Sequence, residues 1–189
     1  MTMFDWHDFV ARWSEVLLQT PDIAQDLSPD VVASGWVGNP GATEEQIGRL
    51  EAHLGTSLPP SYHAFLQTSN GWRWDGIPLL STEEIEWLSV GNQQFIDDVV
   101  DPDFHLSDDD YFVYGLGQTP MVRAEDVPTT LQISDWVDTD IYLLNPRVTT
   151  KEGEWEAWHY ASHRPGFRRY RSFQELMQSA YDSFVRLNR

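Results

Sequence analysis

The chain has 189 residues, no cysteine, and 30 acidic against 12 basic side chains, a formal net charge of −18 at pH 7. The missing cysteines exclude thiol catalysis, cysteine-zinc centres and a disulfide framework. An acid-rich surface cannot neutralise a phosphate backbone, so no nucleic-acid partner is expected. The length suits one domain, which at this size buries about 70% of its unfolded surface and needs no staple. Residues 1–146 hold 25 acidic and 4 basic side chains, whereas residues 147–189 hold 5 and 8. That imbalance favours a basic protein partner drawn in by long-range steering, although acidity also serves solubility alone. The opening Met-Thr-Met-Phe-Asp-Trp-His-Asp lacks the basic start and apolar core of a secretory signal. No apolar run approaches the roughly 18 residues that a membrane helix needs. A cytoplasmic protein without a membrane partner is the expectation.

Phe4 to Leu18 predicts an amphipathic helix, with Trp6, Phe9, Val10, Trp13, Val16 and Leu17 on one stripe. Pro21 ends it, and residues 19–42 form a mixed connection broken by Pro29, Gly35, Gly38 and the Asn39-Pro40-Gly41 turn. Thr43 and Gln46 make a capping box for a second helix carrying Ile47, Leu50 and Leu54 on one face. Gly55 stands where that helix can end in a left-handed turn. Pro59-Pro60 opens a third helix with Tyr62, Phe65 and Leu66 inward, stopped by Asn70-Gly71. Ser81 to Glu84 reads as another capping box, predicting one or two helical turns with Ile85 and Leu88 inward.

Seven aspartates lie between Asp97 and Asp110 with no Lys or Arg among them. Phe95, Ile96, Val99 and Val100 predict a helical turn there, followed by a solvated loop. From Tyr111 the period changes to that of strands. Tyr111–Gly115 is a β-prone run, Leu131–Ser134 and Ile141–Leu144 flank a hairpin loop closed by Asn145-Pro146, and Trp155–Ala161 alternates behind a turn at Gly153. Ser172 with Glu175 caps a final helix presenting Phe173, Leu176, Met177, Ala180, Tyr181, Phe184 and Val185. Helices first, an antiparallel sheet in the second half and a closing helix make an α+β class.

The run from Glu44 to Gly71, E-x-x-I-x-x-L-E-x-x-L-G-x-x-L-P-x-x-Y-x-x-F-L-x-x-x-N-G, closely resembles the signature of the SUKH superfamily. Later blocks are similar as well: Leu143–Pro146, Gly153–Trp158, the Pro165-Gly166 turn and Arg169–Met177, in the family's order. The resemblance covers about residues 36–187 and implies N-terminal helices packed on a mainly antiparallel sheet with a C-terminal helix. Residues 1–35 are then a helical extension packed on the core, and 36–189 the SUKH-like domain. The shared residues are packing and turn residues: Leu58, Tyr62, Phe65 and Leu66 for the core, Gly55 and Gly71 for the backbone. The resemblance carries no catalytic set.

Motifs for chemistry fall short on their own residues. His159-x-x-x-His163 has zinc-like spacing but straddles a strand end and a turn with no acidic residue placed as a base. Asp101 to Phe112 has Leu106 where a calcium loop needs glycine and Phe112 where it needs a bidentate glutamate. No Gly-x-Ser-x-Gly elbow occurs, and Gly35, Gly38 and Gly41 are too irregular for a phosphate loop. No catalytic, metal or cofactor residue is therefore assigned, and no cofactor is expected. Trp72 and Trp74 in the Gly-bounded segment 70–76 are candidate interface anchors, against the plainer reading that they pack onto the sheet edge. Asp97, Asp98, Asp101, Asp103, Asp108, Asp109 and Asp110 are the other candidate partner contacts. Arg164, Arg168, Arg169 and Arg171 form a basic cluster, read as neutralising the acidic body of the same domain.

Bacterial members of the superfamily resemble immunity proteins, each binding a toxin that acts on nucleic acid. The resemblance thus implies a non-catalytic immunity protein that neutralises a cognate toxin by binding it. The acidic balance adds the expectation that the toxin offers a basic surface, and a monomer or weak homodimer is expected. A regulatory or scaffold module for cell-wall or signalling assembly, like the fungal member, is the alternative. A hydrolase using the aspartate-rich loop with a metal is the third reading.

Overall fold

Asp5 opens the first helix by accepting the Asp8 N–H, and α1 runs over Trp6–Gln19. The computed structural model describes residues 4–72, 76–101, 103–163 and 166–188. The expected stripe of α1 is buried at Trp6, Phe9, Val10, Trp13 and Leu17. Ser14 sits within that stripe and stays satisfied, donating to the Val10 carbonyl (2.8 Å) and accepting from the Val37 N–H (3.0 Å). The connection that follows contains two short helices, α2 (Pro21–Ala24) and α3 (Pro29–Ser34), because each begins with a proline preset for a first turn.

α4 (Glu44–Leu54) carries both reciprocal bonds of its capping box, at 3.2 and 2.9 Å. Gly55 ends it at φ 71°, a conformation that costs a side-chain-bearing residue energy. α5 (Pro60–Thr68) buries Tyr62, Phe65 and Leu66. Phe173 of the last helix fits among them, its ring 4.8 Å from Tyr62, 5.1 Å from Phe65 and 5.5 Å from Trp6.

The helical turns expected after Ser81 do not form. The Ser81 N–H and hydroxyl both donate to the Glu84 carboxylate, at 2.9 and 2.6 Å, closing a single turn. The chain then extends as β1 (Glu86–Trp87) to pair with β2 (Leu131–Gln132), still burying Ile85 and Leu88. α6 (Gln93–Val99) forms where Phe95 and Ile96 predict it.

The residues expected to be loop and then strand are also different. Ser107 accepts the Asp110 N–H and starts α7 (Asp108–Tyr111), with three aspartates against the positive end of its peptide dipoles. Tyr111 ends this helix, and the chain continues through a 3-10 turn at Gly115–Gly117.

The sheet is antiparallel in the order β1-β2-β3-β4-β5, with β3 (Asp140–Thr149), β4 (Trp155–Ala161) and β5 (Phe167–Tyr170). β3 passes through Pro146 instead of stopping there. The register shifts between Asn145 and Thr149, and a proline, having no N–H to donate, is tolerated at such a bulge. β5, with two arginines in four residues, carries no apolar alternation that marks it as a strand.

Directly opposed residues share a face. Leu144, Ala157 and Tyr170 line one face, packed under α1, α5 and α8 (Phe173–Leu187) in the main core. Leu143, Trp158 and Arg169 line the other, where Leu88, Ile96, Val127, Ile141 and Phe167 make a smaller core beneath α6. This is the expected α+β arrangement. The N-terminal helix belongs to its main core, since Trp6 packs on Phe65 of α5 and Trp13 on Tyr181 and Phe184 of α8.

Candidate protein-binding face

The second face of the sheet carries a buried polar network. Glu156 on β4 is 1% exposed, and its carboxylate accepts from the Tyr111 hydroxyl (2.5 Å), the Tyr114 hydroxyl (2.8 Å) and the Trp158 indole N–H (2.7 Å). Arg169, equally buried on β5, lies 3.5 Å from the same carboxylate. Its guanidinium donates to the carbonyls of Tyr111 and Val113 and stacks over the Tyr111 ring at 4.2 Å. Burial and the adjacent carboxylate push both tyrosine hydroxyls far above the ordinary phenol range, so they stay protonated and donate.

Asn145 joins this group to Asp126, donating to its carboxylate at 3.1 Å. Arg147 lies 2.9 Å from the other oxygen of Asp126. Burial nevertheless holds the Asp126 carboxyl above the usual carboxylate range, outweighing both partners.

The network fastens segment 111–120, which follows the aspartates in the chain, to the sheet. Segment 111–120 runs along the free edge of β5, where the Phe167 N–H donates to the Pro120 carbonyl (2.8 Å) and the Arg169 N–H to the Gln118 side chain (2.7 Å). Gly166 allows the close approach: its φ is 60°, and a Cβ there would stand 2.6 Å from the Pro120 oxygen.

Above this platform Asp97, Asp98, Asp101, Asp103, Asp108, Asp109 and Asp110 are all exposed. Asp108 is held by Arg123, whose guanidinium lies 4.2 Å from the Tyr111 ring centre and 5.3 Å from that of Phe112. Asp97 and Asp98 accept from Gln93 and Gln94 of the preceding turn. The seven candidate aspartates thus belong to one stretch of surface residues around α6 and α7.

Trp72 does not join them. It is 1% exposed, pairs through its backbone with Leu79 and packs its ring 5.6 Å from Trp13. The expectation that it faces a partner is corrected to the plainer one, because the core beside α1 has room for its indole. Trp74 lies outside the described residues, as does Arg164.

Of the remaining basic cluster, Arg169 neutralises Glu156 inside the domain, and Arg171 lies 3.7 Å from Glu175. Arg168 is exposed beside Tyr170. His159 and His163 both reach Asp140, at 3.1 and 3.2 Å, so they flank one carboxylate. Among the described residues no group of three or more His, Asp or Glu is arranged to hold a metal ion. No helix among them is long and apolar enough to cross a membrane.

Sequence reading missed four surface residues here. Phe112 (51%), Val113 (39%), Leu116 (107%) and Met121 (37%) are exposed apolar side chains around the same segment. No local signal marks them: the run has the composition of a strand, and its i, i+3 inward spacing follows only from Tyr111 and Tyr114 both reaching Glu156.

No curated protein matches the chain. The sequence model described as SMI1 / KNR4 family (SUKH-1) matches residues 41–179, taking in α4, α5, the whole sheet and the first half of α8. That match spans well over half of the chain and both faces of its sheet, and the chain belongs to the SMI1 / KNR4 family (SUKH-1).

Proposed function

We propose that this chain is a non-catalytic protein-binding module, an immunity protein that neutralises a cognate toxin in the cytoplasm by direct binding. The observation that carries the reading is the acidic run: seven exposed aspartates from Asp97 to Asp110 without Lys or Arg among them, followed at once by Tyr111, which is fastened to the sheet. Such a run complements the basic surface that a nucleic-acid-cleaving toxin needs for its own substrate. Occluding that surface requires stoichiometric binding and no turnover. Family membership is consistent with this and equally with a regulatory module.

The test is co-purification of the tagged protein from its native cells at low and high salt. One stoichiometric partner with a toxic, nucleic-acid-acting domain, and rescue of growth when the two are co-expressed, is the expected result. Several envelope or signalling proteins in its place would move the assignment to a regulatory scaffold. Absence of a stoichiometric partner at both salt concentrations would overturn the immunity reading.

A further inference from the structure

We infer that the ridge Phe112–Met121 is the apolar centre of the interface, and that its partner offers an apolar socket rimmed on one side by Lys or Arg. The inference rests on the protein-binding reading above. Four of the exposed large apolar side chains among the described residues fall within these ten positions, whereas Val32, Val90 and Leu187 are scattered. Scattered exposure is ordinary, but a contiguous apolar strip bordered by charge marks an interaction surface.

The ridge is held in place from below. Its backbone is tied to the sheet through the carbonyls of Val113 and Pro120 and through the side chains of Tyr114 and Gln118. The inward polar groups are thus taken up by the fold, and Phe112, Val113 and Leu116 are left exposed, the Phe112 ring resting edge-on against Tyr111. An anchored, preorganised strip loses little entropy on binding, which suits it to carry most of an interface's affinity.

The surroundings say what covers it. Beside Leu116 and Pro120 is a hollow of about 360 Å³ floored by Phe167, and beside Pro120 and Met121 another of about 220 Å³ walled by Asp98 and Asp101. Each can receive a partner side chain. Asp98 and Asp101 stand beside Met121, and Asp108 to Asp110 precede Phe112 in the chain with only Tyr111 between, so a matching face must bring cations to the apolar contact. Near Leu116 the cleft is lined by Arg168, Arg171 and Arg186 against Glu175 and Asp182, a border that is net basic. The cations of the partner therefore belong on the aspartate side only, which sets one orientation.

Two defined probes test this by calorimetry: an amphipathic helical peptide of leucine and lysine, and an oligolysine of equal charge. The leucine-lysine peptide is expected to bind about tenfold more tightly, as an apolar anchor supplies most of the affinity. Leu116→Ser with Phe112→Ser should erase that difference, while Val32→Ser, at an apolar position on α3 as exposed as Phe112, should leave it. Leu116→Ser alone, at a side chain fully in solvent, decides the matter if the double variant melts early. Equal affinity of the two peptides, or equal loss in Val32→Ser, would overturn the ridge. A co-purified partner that holds the ridge variant as tightly as wild type would also overturn it while leaving the immunity reading standing. Ridge-dependent peptide binding without any co-purified partner would do the reverse.

Discussion

Glu156 and Arg169 show how much a single pair of residues decides. Each is buried, and each satisfies groups from a different part of the chain: Tyr111, Tyr114 and Trp158 for the carboxylate, two backbone carbonyls for the guanidinium. Removing one partner leaves the other charge buried and uncompensated. Glu156→Ala is therefore expected to cost about 3–5 kcal/mol in urea unfolding, far more than an exposed pair such as Arg49 with Glu45 contributes. Asp126 gives a pH signature. Its carboxyl is raised in the fold by burial, so its neutral form is the one the fold favours. The contribution is complete below the ordinary aspartate pKa of about 3.9 and is lost as pH rises through the raised folded value. Measured by urea midpoint, wild type should lose stability relative to Asp126→Asn as pH rises through that window. A constant difference between the two proteins across it would contradict the assignment.

At the scale of elements, local and distant interactions compete, and which one wins differs along the chain. α4 and α8 start at the serine or threonine caps that the sequence marks, because a side-chain oxygen three residues from its target N–H needs no tertiary help. After Ser81 the same motif closes only one turn, since the following residues find strand partners in β2. Tyr111–Gly115 has the composition of a strand, yet Glu156, 45 residues away from Tyr111, recruits the hydroxyls of Tyr111 and Tyr114 and bends the run into a turn. β5 was illegible because its second ladder partner is an irregular segment and its inward arginine is charged. α1 lies outside the residues matched by the family, but its tryptophans are integral to the main core. Trp13→Ala should accordingly cost about 3–5 kcal/mol of global stability, without a separate early transition in calorimetry. At Gly166, alanine meets both a left-handed φ and the Pro120 oxygen. The variant is expected to lose about 1–3 kcal/mol, and hydrogen exchange should rise first in segment 111–120.

For the molecule as a whole, charge is distributed by purpose as well as by amount. Seven of the acidic residues lie exposed on α6, α7 and the segment between them, whereas Arg169 faces inward and Arg168, Arg171 and Arg186 line the cleft beside β5. If the acidic face steers a basic toxin, replacing Asp108, Asp109 and Asp110 with asparagine should slow association about tenfold at low salt and change dissociation little. Stopped-flow rates at two ionic strengths measure this, and an unchanged association rate would clear α7 of the role. The sequence by itself determined the family, the α+β class, the principal helices and the central strands. Those follow from periodicity, caps and glycines, which act over a few residues. Only the tertiary structure decided that Trp72 is core, that Tyr111 and Tyr114 turn inward, and that Phe112 and Leu116 stand in solvent. Burial of an aromatic side chain depends on what the distant chain brings against it, and no local pattern encodes the carboxylate of Glu156 or the indole of Trp13.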